Sequence, residues 1–172
     1  MRPVEQIAAF DAAVDRAFDA IRRPALDAVA YRLSSAADHS LIWHVAAAAR
    51  GLARGGDVAY AARVSAALGL ESALTNGLVK SLFRRVRPAD YSELEFRHGM
   101  RRPITSSFPS GHATAAFTAA TLLGGGPWYG AAAAVAATRI YVRLHHASDV
   151  VAGAALGLAL GAALRPLVAR GE

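Results

Sequence analysis

From residue 40 to residue 168 the chain is a succession of alanine-rich apolar stretches separated by turn signals, and no segment alternates with the period of a strand. Such a pattern favours helices. The stretches are 40–54, 58–83, 111–124, 128–142 and 148–168. Residues 148–168 form the cleanest membrane-length run, while 58–83 is long enough but carries Arg63 and Glu71. Gly124-Gly125-Gly126-Pro127 is a strong turn between the third and fourth stretches. Residues 84–109 are polar, arginine-rich and broken by prolines, and read as a long loop. Ahead of all this, Ile7, Phe10, Val14, Phe18 and Ile21 make a helical stripe with acids and arginines opposite. Pro24 then suits the first turn of a second amphipathic helix. The expectation is an all-α integral-membrane bundle in one domain, 1–172. About five spanning helices fall within 37–172, and an amphipathic helix pair, interfacial or packed on the bundle, fills 1–36.

Apolar residues are 54% of the chain, yet mean hydropathy is only +0.27 because so many are alanine and glycine. Alanine-rich helices suit tight packing in a membrane and soluble bundles alike. The absence of cysteine excludes disulfides and thiolate metal sites. Glu5, Asp11, Asp15 and Asp19 interrupt the N-terminus, which therefore does not read as a signal peptide. The net charge of +6 calls for an anionic partner, either lipid headgroups, a phosphorylated substrate or nucleic acid. Its source is 18 arginines and a single lysine, Lys80. One retained lysine marks a place that needs a compact, flexible ammonium.

Three short motifs stand in order. Lys80 is followed seven residues later by Arg87-Pro88. Pro109-Ser110-Gly111-His112 comes next. Arg139 is then followed by His145 and Asp149. Together they resemble the three-part signature of the type 2 phosphatidic acid phosphatase (PAP2) superfamily, shared with vanadium haloperoxidases and bacterial class A acid phosphatases. The resemblance spans residues 80–149, and the surrounding apolar helices fit its membrane, lipid phosphate phosphatase branch.

The chemistry explains the residue types. Phosphoryl transfer asks a protein for positioning and for charge on the equatorial oxygens. Arg87 and Arg139 can each clasp phosphate oxygens in a fork, and Lys80 adds a point charge. Ser110 and Gly111 lie where a loop becomes a helix, so backbone N–H groups and the positive dipole end attract an anion. His145 and Asp149 are four apart and share a helix face, so Asp149 can accept one ring N–H while the other nitrogen aims a lone pair at phosphorus. The resemblance implies the matching roles: Lys80, Arg87, Ser110, Gly111 and Arg139 on phosphate, His112 as acid and base, His145 as nucleophile and Asp149 as its orienter. No metal and no cofactor are implied. Thr138 stands where the family often has serine, which keeps a hydroxyl. His146 lies three residues from Asp149, so helical geometry alone allows either histidine to attack; the family spacing selects His145. His39, His44 and His98 match no motif and read as structural or interfacial. Arg84, Arg85, Arg97, Arg101, Arg102 and Arg143 either grip a second phosphate or headgroup, or sit at an anionic membrane surface.

If successive spans alternate in direction, all three motifs fall at one end of the bundle. That end carries 14 of the 19 basic residues, and the positive-inside rule then places it in the cytoplasm of a multi-pass cell-membrane protein. The expected activity is hydrolysis of a lipid phosphate: an isoprenoid phosphate or pyrophosphate, an isoprenoid-linked sugar phosphate or a glycerolipid phosphate. The compact arginine- and alanine-rich chain looks like small actinobacterial members of the family, some assigned to dephosphorylating decaprenylphosphoryl-5-phosphoribose. Expected partners are this substrate and membrane lipids, with no nucleic acid. Gly153, Gly157 and Gly161 give a small-xxx-small pattern that fits close helix contacts within the chain or in a homo-oligomer. The rival readings are a soluble or periplasmic class A-like acid phosphatase or vanadate-binding haloperoxidase-like enzyme, and a non-catalytic membrane scaffold that binds lipid.

Overall fold

A computed structural model of the chain describes residues 2–88, Gly99 and 104–169; helices and loops, and no strands, occur among them. Helices α1 (Pro3–Ala20) and α2 (Pro24–Ala36) each begin on a proline, where the missing N–H has no intrahelical acceptor to lose. A 3-10 turn, Asp38–Ser40, leads into α3 (Leu41–Ala53). Then come α4 (Val58–Ser72), α5 (Gly111–Leu122), α6 (Pro127–Tyr141) and α7 (Ala147–Ala169). The five apolar stretches are thus all helical, preceded by the expected helix pair. Their lengths differ from the span expectation. Among the described residues α7, with 23 residues, is the one helix both long and apolar enough to cross a membrane by itself. With 13, 12 and 15 residues, α3, α5 and α6 fall short of the ~20 residues that a hydrocarbon core requires.

The 58–83 stretch is not one α-helix. It widens into a π-helix over Ala73–Val79 and tightens into a 3-10 turn over Lys80–Leu82. This has a positional consequence. In an α-helix a residue nine beyond Glu71 lies on the opposite face, because each residue turns by ~100°. The π-turn, with its i→i+5 ladder, turns less per residue. Lys80 is thereby returned to the inward face, and Glu71, Thr75 and Lys80 are all buried.

Helix α5 sits at the centre, with eight of its twelve residues buried. Its main neighbour is α7, and the glycine stripe decides how close they come. A Cβ on Gly153 would lie 2.5 Å from the Ser110 carbonyl oxygen, one on Gly157 2.3 Å from the Thr114 carbonyl oxygen, and one on Gly161 2.6 Å from Thr121 Cβ. The backbones therefore touch, with Thr118 Oγ1 donating to the Gly157 carbonyl at 3.0 Å. Of the two uses left open for the small-residue pattern, the described contacts use it within the chain. At the head of this pair the Ser110 N–H donates to the Asp149 carbonyl at 3.0 Å, which ties the second motif to the third.

The N-terminal helix docks through its acids rather than through its whole apolar stripe. Asp11, Asp15 and Asp19 recur every four residues and so share a face. Asp15 and Asp19 each hold Arg143 at 2.5 Å, and Asp11 accepts from the Ser148 N–H at 2.8 Å. Val14 and Phe18 pack beside them, while Val4, Ile7, Phe10 and Ile21 face outward.

Since a side chain at 157 has no space, we expect Gly157→Ala to lower stability by about 1–3 kcal/mol. Gly130, on α6, has no heavy atom within 4 Å of an added Cβ, and Gly130→Ala should be neutral or slightly stabilising. Thermal unfolding of both variants in detergent checks this. Equal stabilities would show that α5 and α7 do not pack backbone to backbone.

Candidate active site

Six of the eight sequence-selected residues, Lys80, Arg87, Gly111, His112, Arg139 and His145, line one cavity of about 580 Å³. Each arrives differently. Lys80 comes from the 3-10 turn after the π-helix, and Arg87 from the extended run that follows. Gly111 and His112 open α5, where the first N–H groups have no intrahelical acceptor. Arg139 lies in the last turn of α6, and His145 in the link to α7. A Cβ at 111 would sit 2.9 Å from Asn76 Oδ1, which would have to shift, and 3.6 Å from Lys80 Nζ, so the lysine lies against the start of α5.

Three cations surround this cavity. Arg87 donates to the carbonyls of Leu144 at 2.6 Å and Thr105 at 3.1 Å. Arg139 is buried, donates to Ser34 Oγ, and leaves its Nε without a partner among the described residues. Lys80 is buried and forms no ion pair among the described residues. Asp38 and Glu71 line the same cavity and offset part of this charge, and a cluster of three cations remains an arrangement that an anion would stabilise.

The ring of His145 is fixed by contacts that also define its tautomer. Nδ1 lies 2.7 Å from the Ser107 carbonyl oxygen, which can only accept, so Nδ1 carries the proton. Nε2 lies 3.3 Å from Arg87 Nη1, which can only donate, so Nε2 presents its lone pair. The two assignments agree. This corrects the expected pairing in one respect: the Asp149 carboxylate is 3.7 Å from Nδ1, beyond hydrogen-bond reach, and the Ser107 carbonyl is the direct orienting partner. Asp149 is fully buried behind the ring. Its Oδ2 accepts the His146 N–H at 2.9 Å, closing the start of α7, and its Oδ1 accepts from Arg85 at 2.6 Å. Burial, with the charges of Arg139, Arg87 and Lys80, outweighs Asp149 and pushes the His145 imidazole down to about 3.

Ser110 and Asp149 lie outside the cavity lining. Ser110 caps α5: its Oγ accepts from the Ala113 N–H at 3.4 Å, and its own N–H is occupied by the Asp149 carbonyl. The nearest anion donors at this terminus are therefore the N–H groups of Gly111 and His112. His146 does not line the cavity either; its Nε2 is 3.3 Å from the Val86 carbonyl oxygen. His44 bonds Ser65 between α3 and α4, while His39 lines the cavity. Two arginines assigned to a second phosphate or a membrane surface are internal ties instead. Arg85 joins Asp149 to Asp11 and Ser148, at 2.6–2.7 Å, and Arg143 is held by Asp15 and Asp19. Arg84 is exposed, and Arg97, His98, Arg101 and Arg102 lie outside the described residues.

Residues 34–40 enter the site although the sequence singled out only His39 among them, and that as structural or interfacial. Asp38 Oδ1 is 2.8 Å from His112 Nε2. Burial would raise the Asp38 carboxyl, but the hydrogen bond and charge of His112, with Arg139 and His39, hold it below its ordinary value. His39 (φ 52) and Ser40 (φ 60) are both left-handed, which costs a non-glycine residue of order 1 kcal/mol or more. Ser107 was equally hidden, because it acts through a backbone carbonyl that any residue possesses. The acids at 11, 15 and 19 did carry a signal: a periodic acidic edge needs arginines to face.

Among the described residues no three His, Asp or Glu side chains converge as metal ligands. Three cations, two histidines and a helix N-terminus around one cavity of a helical bundle make a set that suits an anion. Residues 60–171 match the PAP2 superfamily, and the chain belongs to that family. A crystal structure described as the first transmembrane PAP2 type phosphatidylglycerolphosphate phosphatase, from Bacillus subtilis, has the same fold: TM-score 0.74 over 100% of this chain and 89% of that one, at 22% identity. No curated protein matches the chain.

The lowered value at His145 means that its proton-free Nε2 persists through neutral and moderately acidic pH and is lost only as pH falls through about 3. We expect the His145 ring resonances to show no titration between about pH 5 and pH 8, the range in which an ordinary histidine charges. NMR of ring-labelled protein, with His145→Ala for assignment, measures it; an inflection near the ordinary histidine value would contradict the buried, neutral ring.

Proposed function

We propose that the protein is a multi-pass membrane phosphatase that hydrolyses a lipid phosphate monoester or pyrophosphate through a phosphohistidine at His145. One observation carries this reading: the neutral His145 ring, its Nε2 lone pair 3.3 Å from Arg87 Nη1, lines the same cavity as Lys80, Arg87 and Arg139. The phosphate lies among these cations and the first N–H groups of α5. His145 Nε2 attacks phosphorus, a P–N bond forms, the P–O bond to the lipid alcohol breaks, and His112 gives that oxygen a proton. Water then attacks the phosphohistidine, His112 takes its proton, and inorganic phosphate leaves with His145 neutral again. Nδ1–H stays on Ser107 throughout. The positive charge on the phosphorylated ring is stabilised by that carbonyl and by Asp149 at 3.7 Å. The absence of His146 from the cavity favours His145 as nucleophile.

The lipid setting is supported by α7 and by the outward-facing Leu41, Val45, Leu52, Leu78, Leu82, Val151 and Leu158. Residues 1–59 belong to the same working unit, since Ser34 and Asp38 reach the site. Substrate classes are the isoprenoid phosphates, isoprenoid-linked sugar phosphates such as decaprenylphosphoryl-5-phosphoribose, and glycerolipid phosphates, the class in the Bacillus subtilis protein's description.

Phosphate release by purified protein in detergent, over a panel of these lipids, tests the activity. We expect His145→Ala to lose at least about a thousandfold in kcat and His112→Ala about 10²–10⁴-fold, with helical content unchanged. Undiminished hydrolysis by a folded His145→Ala variant would refute the phosphohistidine route. The site faces the cytoplasm in this reading, so a reporter fused at the C-terminus should register as non-cytoplasmic; a cytoplasmic C-terminus refutes the five-span inward arrangement.

A further inference from the structure

Residues 34–40 precede the stretch that matches the family, yet five of them, Ser35 and Ala37 to Ser40, line the cavity. Two of their side chains grip site residues: Ser34 takes an N–H of Arg139, and Asp38 Oδ1 lies 2.8 Å from His112 Nε2. We propose that Asp38 is the positioning residue for the proton-transferring histidine, setting which nitrogen of His112 carries the mobile proton and stabilising the ring while it is charged. The inference rests on the reading above in which His112 is the acid and base.

A carboxylate can only accept, so the Asp38 contact places a hydrogen on His112 Nε2. Nδ1 then has no partner among the described residues, and it is the nitrogen that exchanges a proton with the reaction. In the first half-reaction the Nδ1–H proton passes to the departing lipid oxygen as the P–O bond breaks, leaving the ring neutral. In the second, the attacking water returns a proton to Nδ1. Asp38 keeps its charge in both. That charge helps: burial and the cations Lys80 and Arg139 oppose a further charge on His112, and Asp38 works against them together with the negative charge that a bound phosphate brings. The local backbone is consistent with a fixed placement. Asp38 is followed by two left-handed non-glycine residues, His39 and Ser40, both lining the cavity, and such conformations persist where the surroundings over-determine them.

The decisive experiment compares leaving groups. An alkyl phosphate lipid needs a proton on its departing oxygen, whereas the aryl oxygen of p-nitrophenyl phosphate departs without one. Both substrates are assayed with wild type, Asp38→Asn, His112→Ala and the double variant. We expect Asp38→Asn to lose at least about tenfold more kcat/KM, which reports the step that expels the leaving group, on the alkyl than on the aryl substrate, within the ~10²–10⁴-fold that general acid catalysis supplies, and to lose nothing further when His112→Ala is already present. The alkyl-to-aryl ratio cancels any loss of folded protein. Equal losses on the two substrates would reduce Asp38 to a structural role, and a gain in alkyl turnover would make it a plug that substrate must displace. Either overturns the proposal. Wild type that releases phosphate from neither substrate would instead sink the phosphatase reading on which the proposal stands.

Discussion

Lys80, Arg87 and Arg139 share one cavity, and most of the architecture serves to hold like charges where they would not gather unaided. Burying positive charge costs several kcal/mol per group unless an anion or a set of dipoles compensates. In this chain the compensation is partial by construction. Arg87 spends N–H groups on carbonyls of the 104–107 and 142–146 links, Arg139 leans on Ser34, and Lys80 lies against the start of α5. Asp38 and Glu71 line the same cavity and offset part of the charge, and an anion among the three cations would offset more. Burial and the same field of charges discourage protonation of His145, so the ring that lines this cavity stays neutral.

Rigidity comes from backbone contact rather than from large side chains. Glycines on α7 let α5 approach so closely that added methyl groups would overlap its carbonyls. The Ser110–Asp149 hydrogen bond then sets the two motif-bearing segments in register. This also accounts for the modest hydropathy of the sequence: alanine and glycine replace bulk with proximity. Around that pair the N-terminal helix acts as a charged brace. Asp11 meets Arg85 and Ser148 behind Asp149, so a residue near the start of the chain touches the groups that hold the carboxylate beside His145.

Much of the site was legible because its chemistry depends on residue type and spacing. Cations, a glycine before a histidine, and a histidine four residues from an aspartate are all side-chain properties, and six of those eight residues do line one cavity. The misassignments have physical causes. Arg85 and Arg143 look like any loop arginines until their partners are known, and those partners lie 74 residues away for Asp11 and 124 for Asp19. The i,i+4 spacing put Asp149 beside His145, where it lies at 3.7 Å, but held no sign that the Ser107 carbonyl, 38 residues distant, comes nearer to Nδ1.

The sequence by itself determined the helices, their order, the family signature and the inventory of groups available for phosphoryl transfer, since periodicity and side-chain chemistry are local properties. Only the tertiary structure decided the tautomer of His145, the π-turn that brings Lys80 inward, and the use of residues 34–40 as a wall of the site. Those depend on distances between segments far apart in the chain, and on backbone atoms that every residue carries alike, so composition and spacing hold no record of them.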